Sequence, residues 1–124
     1  MKQRLSETCY MFFRVLANPT RLAILEALRD KPRNVNEMAE CLNQEQSMIS
    51  HNLKPLEKCR FVFAKRKEKQ RIYSLNNETV EPLLKLFIYH SKKYCPVKGK
   101  CLTEKSLRQF RKKEASRQLH VTHE

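Results

Sequence analysis

Apolar residues recur at helical spacing along most of the first 90 positions, broken by one short stretch with the pattern of strands. Leu5, Cys9, Phe12, Phe13 and Leu16 fall three or four apart and form one stripe on an amphipathic helix over residues 5–16. Asn18-Pro19-Thr20-Arg21 opens a second helix. Asparagine is a good N-cap, and proline at the first helical position lacks only an N–H that has no partner there. This helix turns Ile24, Leu25 and Leu28 inward and is predicted to end near Asp30, because Pro32 disfavours helical dihedrals in the residue before it. Asn34, with Glu37 three residues on, has the pattern of a capping box, with asparagine in the serine or threonine place. Val35, Met38, Ala39 and Leu42 then predict a short third helix. After Asn43-Gln44 a fourth begins at Glu45 or Gln46, with Ile49, Leu53 and Leu56 on its core face.

The period then changes. Residues 60–64 and 71–75 are rich in aromatic and β-branched types and predict two strands. Lys65-Arg66-Lys67-Glu68-Lys69-Gln70 lies between them and lacks the Asn-Gly or Asp-Gly of a two-residue turn, which predicts a longer loop. A fifth helix follows over 78–94, with Val80, Leu83, Leu84, Phe87 and Ile88 apolar and Pro82 in its first turn. The expected fold is therefore mainly α, about five helices with a two-stranded hairpin and a basic C-terminal extension. Residues 1–94 are read as the folded domain and 95–124 as the extension. Leu102, Leu107 and Phe110 share a helix face there, but the apolar content is thin, and fraying is expected from Ser116.

Charge sharpens this picture. Lys and Arg number 26 against 13 acidic residues, a net of +13, and residues 92–124 alone carry +7 from ten Lys/Arg and three Glu. A positive field of this size steers a protein towards polyanions such as nucleic acid. No apolar run approaches the ~20 residues of a membrane span. The opening Met1-Lys2-Gln3-Arg4 lacks the apolar stretch of a signal peptide, so a cytoplasmic location is expected.

The third and fourth helices, joined by a tight turn, have the form of a helix-turn-helix. On the fourth, Gln46, Ser47, Ser50, His51 and Lys54 lie to one side, with side chains of the types that reach base edges and phosphates in a major groove. The hairpin supplies Lys65, Arg66, Lys67, Lys69 and Arg71, placed to follow the phosphate backbone or enter the minor groove beside that helix. The chain is thus expected to be a winged helix-turn-helix that binds double-stranded DNA. The alternative is a non-specific or architectural nucleic-acid binder, which uses charge without reading sequence. An enzyme is not expected: the chain has no Gly-rich phosphate loop and no Cys-x-x-Cys.

Three segments resemble the ArsR/SmtB metalloregulators. Asn18-Pro19-Thr20-Arg21-Leu22-Ala23-Ile24-Leu25 looks like the opening of their second helix, and Ser47-Met48-Ile49-Ser50-His51-Asn52-Leu53-Lys54 matches their recognition helix. Phe61-Val62 through Arg71-Ile72-Tyr73-Ser74-Leu75 is similar to their wing, so the likeness covers roughly residues 10–90. It implies a homodimer packed through the first and fifth helices, and a repressor released from its operator by a metal ion or other inducer. The chain departs from that pattern. The family's thiolate site at the start of the third helix falls on Asn34 and Asn36, and Cys41 lies too far along to replace them. The fifth-helix zinc site falls on Asn77, Thr79, His90 and Lys93, one ligand of four. Pro55, inside the recognition helix, is expected to kink it or end it early.

Cysteines 9, 41, 59, 95 and 101 do not suggest a disulfide framework in a cytosolic chain. Cys9 and Cys41 are expected in the core, and Cys59 at the turn into the wing. Cys95-Pro96-Val97-Lys98-Gly99-Lys100-Cys101 can close into a loop, as a disulfide or around a thiophilic metal such as zinc. Cys95 and Cys101 are therefore candidates for a redox or metal switch, with Cys9 as a third ligand where the family resemblance implies that the first and fifth helices meet; the alternative is two ordinary thiols near a flexible end. His120 and His123 are read as tail residues.

Overall fold

The structure is a computed structural model that describes residues 10–95 and the single positions 4, 112 and 116. Its element order is α1 (Met11–Leu16), α2 (Pro19–Asp30), α3 (Val35–Leu42), α4 (Gln46–Lys58), β1 (Val62–Lys67), β2 (Gln70–Leu75) and α5 (Val80–Tyr94). The expected class, mainly helical with a two-stranded antiparallel wing, is the one observed. The chain divides into two units, Met1–Leu84 and Lys85–Glu124, so the boundary falls within α5. The first half of the predicted opening helix, with Leu5 and Cys9, lies outside the described residues, as do Cys101, Leu102, Leu107, Phe110, His120 and His123.

Local chemistry starts α2 and α3 where the sequence predicts. Asn18 Oδ1 accepts the Arg21 N–H at 3.1 Å, capping α2 ahead of Pro19. At α3 both halves of the capping box form: Asn34 Oδ1 accepts the Glu37 N–H at 2.8 Å, and Glu37 Oε1 accepts the Asn34 N–H at 3.1 Å. Asn43 ends α3 in the left-handed region at φ 52°, which asparagine tolerates. Asn76 precedes α5, its Oδ1 accepting the N–H groups of Glu78 and Thr79 at 3.2 and 3.3 Å.

The core of the first unit gathers Ile24, Leu25 and Leu28 of α2, Met38 of α3, Ile49, Leu53 and Leu56 of α4, and Phe61, Val62, Leu75 and Val80. Phe12 of α1 packs edge-on against Phe61, ring centroids 4.8 Å apart. Burying nine large side chains almost fully removes the area that drives folding, at ~1.5–3 kcal/mol each. Phe13, placed on the same stripe by its spacing, is instead 68% exposed. Arg29 on α2 forks onto Glu81 at the start of α5, with two N–H to carboxylate bonds of 2.9 Å, and this pairing raises the Arg29 pKa.

The hairpin differs most from expectation. Its strands extend to Lys67 and Gln70, which pair, so only Glu68 and Lys69 form the turn. Glu68 takes φ 61° in place of the glycine or asparagine that such a turn favours. The charged residues taken for a loop continue the ladder because the backbone pairing does not depend on burying side chains. Arg33, between α2 and α3, adds a bridge to β2 through Arg33 N–H to Tyr73 O at 3.0 Å and Tyr73 N–H to Arg33 O at 2.9 Å.

Two more expectations are corrected. Pro55 does not end α4, which runs a further turn to Lys58, with Leu56 buried and Pro55 O accepting the Cys59 N–H. Cys41 is exposed, not in the core, because α3 turns Met38 and Ala39 inward. Cys59 is half-buried where α4 leads to the wing, as expected.

Candidate nucleic-acid interface

Ile49, Leu53 and Leu56 fix the rotation of α4 by facing the core, which leaves the opposite face in solvent. Gln46, Ser47, Ser50, His51 and Lys54 are all exposed on it. The pattern of short polar and cationic side chains predicted from the sequence is thus one contiguous surface of one helix.

Asn52 holds this helix in place, and the sequence pattern did not single it out. It is the one buried polar side chain among the described residues, 4% exposed. Its Oδ1 accepts from Arg21 Nε at 3.1 Å, and its Nδ2 donates to Met48 O at 2.9 Å. Arg21 also donates to Val15 O at 3.2 Å. A side-chain chain of hydrogen bonds therefore joins α1, α2 and α4. Two of its members were visible only as a polar residue between His51 and Leu53 and a cation beside a cap.

The wing brings its charges together in pairs. Val62, Ala64 and Arg66 share one face of β1, and Leu75, Tyr73 and Arg71 are their partners on β2. Arg66 and Arg71 therefore stand directly opposite each other, where like charges repel. Glu57 of α4 takes Arg71 at 2.6 Å, and the Arg71 guanidinium lies 5.7 Å from the centre of the Tyr73 ring. Arg71 thus braces the wing against α4 as well as adding charge. Lys65 and Lys67 share the other face, and Lys69 is in the turn. The side chains of Lys65, Arg66, Lys67, Lys69 and Arg71 are all exposed. Burial raises the Tyr73 phenol above its ordinary pKa, with Arg71 acting in the opposite direction.

The family positions for metals carry other chemistry. Among the described residues no group of three or more His, Cys, Asp or Glu could hold a metal ion. At the start of α3, Asn34 Nδ2 donates to Gln70 Oε1 at 3.1 Å, and Asn36 Oδ1 accepts from Gln46 Nε2. These are amides engaged in hydrogen bonds, not thiolates, and they do not fit a soft metal. On α5, Lys93 donates to Tyr89 Oη at 3.2 Å and sits over the rings of Tyr89 and Tyr94 at 5.6 and 5.4 Å. His90 lies against Tyr94 with ring centroids 5.3 Å apart. Cys95, at the end of that helix, is half-buried, its N–H donating to Ser91 O.

A helix-turn-helix with a basic hairpin beside its second helix defines the winged helix-turn-helix class. The profile of the bacterial regulatory proteins of the arsR family matches residues 18–63, from the α2 cap into β1. The HTH-type transcriptional regulator NmtR of Mycobacterium tuberculosis is 42% identical over 76 residues, which is 61% of this chain and 63% of that protein. The solution structure of apo-NmtR matches with a TM-score of 0.65 and 32% identity over 81% of this chain and 85% of that one. A probable mercury resistance operon repressor of Streptomyces lividans is 35% identical over 80 residues, 64% of each protein. The homodimeric winged helix-turn-helix DNA-binding domain of Mb0332 from Mycobacterium bovis matches with a TM-score of 0.65 and 25% identity over 74% of this chain and 90% of that one.

The chain belongs to the ArsR/SmtB family of winged helix-turn-helix proteins. It spans between 55% and 64% of the length of the curated relatives it matches. Among the described residues no helix is long and apolar enough to cross a membrane.

Proposed function

We propose that this protein is a homodimeric, sequence-selective regulator of transcription that binds double-stranded DNA, acting as a repressor. One observation carries the reading: the exposed polar face of α4 stands beside a wing whose Lys65, Arg66, Lys67 and Lys69 are all in solvent. Ser47, Ser50, His51 and Lys54 are the side chains proposed to meet base edges and nearby phosphates, with Gln46 at the helix start. The wing cations, with Arg71, supply the phosphate contacts. The names of the relatives, transcriptional regulators and an operon repressor, support the regulatory role. The homodimeric state of the similar Mb0332 domain supports the oligomeric state. Leu86, Phe87, Tyr89 and Tyr94 of α5 are each more than half exposed, as residues awaiting a partner surface would be.

The test is binding of the full chain to a random-sequence duplex library, followed by titration of an enriched duplex and a scrambled one. A preference of at least a hundredfold for the enriched duplex supports selective reading. Equal affinities, falling together with salt, point to a non-specific binder. The +7 charge of residues 92–124 favours such a non-specific component.

For the effector, we propose a thiophilic metal ion such as zinc, or a thiol redox change, acting at Cys95 and Cys101 with Cys9 as the third ligand. The mercury resistance repressor among the relatives supports a soft-metal effector. Titration of the enriched-duplex complex with zinc, and separately with peroxide, should change affinity tenfold or more. Cys95→Ser should abolish the change. An unchanged response in that variant removes the switch.

A further inference from the structure

We propose that Asn34 and Asn36 form a bracket that sets where the recognition helix and the wing stand relative to each other, with Gln46 serving as one of its ties. The inference rests on the DNA-binding reading above and deepens it.

Asn34 is held firmly. Its neighbour Arg33 is bridged to β2 by two main-chain bonds to Tyr73, at 3.0 and 2.9 Å. Its own Oδ1 is engaged in the capping box, at 2.8 Å from the Glu37 nitrogen. With the oxygen so placed, the amide Nδ2 is left to donate outward, and it reaches Gln70 Oε1 at 3.1 Å. Gln70 is the first residue of β2, beside the turn at Glu68-Lys69. The tie therefore grips the wing near its tip, beyond the main-chain bridge at Tyr73.

Two residues further along, Asn36 Oδ1 accepts from Gln46 Nε2. Gln46 is the first residue of α4, next to the Asn43-Gln44-Glu45 turn. Glu45 makes no side-chain cap bond to α4, so the Asn36 bond is a side-chain restraint on a helix start that lacks a cap of its own. One turn of α3 thus holds both elements proposed to contact DNA. One N–H of the Gln46 amide is engaged by Asn36, which fixes this side chain at the helix start, while its second N–H and its oxygen stay open to a base edge beside Ser50 and His51. Asn34 and Asn36 are positioning residues, with no contact to DNA of their own.

The test uses full-length protein and two conservative breaks. Asn34→Ser keeps a capping oxygen for the Glu37 N–H but removes the donor to Gln70. Asn36→Ala removes the acceptor for Gln46. Affinity for the enriched duplex is measured for each, for Gln70→Ala, for Gln46→Ala and for both double variants, over a salt series. Each single variant should weaken binding roughly 2- to 10-fold, the range of one solvent-exposed hydrogen bond. Each double should be no weaker than its weaker single, and the salt slope should stay fixed because every cation that meets a phosphate is kept. Additive losses for Asn36→Ala and Gln46→Ala overturn the tie.

Amide hydrogen exchange in the free protein separates the two layers. Asn34→Ser should speed exchange in the wing ladder, and Asn36→Ala in the first turn of α4. Unchanged exchange in both variants overturns the bracket whatever the DNA results. A wild type with no duplex preference overturns the regulator reading and with it the bracket's role on DNA, while exchange still judges the ties.

Discussion

Arg21 Nε, on α2, donates to Asn52 Oδ1 on α4 at 3.1 Å, and this bond crosses from the scaffold to the back of the proposed recognition helix. Asn52 faces away from solvent, 4% exposed, so it acts on any duplex only through the position of α4. Asn52→Ala should destabilise the fold by about 1–3 kcal/mol, because it strands a guanidinium N–H and leaves a gap. Denaturant unfolding measures that loss. At temperatures where the variant stays folded, its duplex affinity should fall while its salt slope matches wild type. A variant as stable as wild type would show that the network does not hold the helix.

Glu68 carries a left-handed backbone, φ 61°, at the tip of the wing. For residues with a β-carbon this conformation costs roughly 1–2 kcal/mol, offset in part by glycine's greater freedom when unfolded. Glu68→Gly should therefore raise stability by about 0.5–1 kcal/mol. It also removes the one acidic side chain among the tip cations Lys65, Arg66, Lys67 and Lys69, so duplex affinity should rise. A fall in both stability and affinity would show that the side chain, not the backbone, shapes the turn.

Tyr73 gives a pH signature. Burial holds its phenol pKa above the ordinary value of about 10. The neutral form is thus favoured in the folded state. Its contribution is fully present below about pH 10 and is lost as pH rises through the folded value. Urea midpoints of wild type and Tyr73→Phe, compared between about pH 9 and 11 to bracket that ordinary value, should diverge in slope, with the wild type losing stability more steeply. Parallel curves would exclude Tyr73 as the source.

Readout and charge should separate by mutation. Ser50→Ala or His51→Ala should lower discrimination between enriched and scrambled duplexes by about 1–3 kcal/mol for each well-made base hydrogen bond removed. Lys67→Ala should weaken both duplexes alike and reduce the salt slope by about one unit. A Lys67 variant with an unchanged slope would remove the wing from the interface.

The features legible in the sequence are those written into a few adjacent residues. The Asn18 cap and the Asn34–Glu37 box form as predicted because each needs only a side chain and a backbone N–H three positions on. The inward faces of α2, α3 and α4 follow from periodicity alone. What escaped depends on distant partners. The ladder through Lys65, Arg66 and Lys67 is set by pairing with β2, and their side chains carry no apolar signal of a strand. Asn52 reads as one more polar residue of a helix face until Arg21, 31 positions earlier, is seen beside it. The exposed polar face of α4 was legible because polarity opposite a core stripe is itself a pattern. The second role of Arg71, bracing the wing through Glu57, was not, since a cation on a basic hairpin looks the same either way.

The facing arginines of the wing bear on how the protein responds to ions. Arg66 and Arg71 sit across from each other, and Glu57 is bonded to the second of them. In dilute buffer the hairpin therefore carries an internal repulsion that dissolved counterions relax. Raising the ionic strength loosens the grip of a cationic protein on a polyanion, and within this hairpin it weakens the Arg66–Arg71 repulsion and the Arg71–Glu57 attraction together. A nucleic acid backbone laid along the wing would act as a fixed, concentrated version of that counterion cloud. A bound duplex would then relieve the repulsion while leaving the Glu57 tie in place, whereas dissolved salt weakens both.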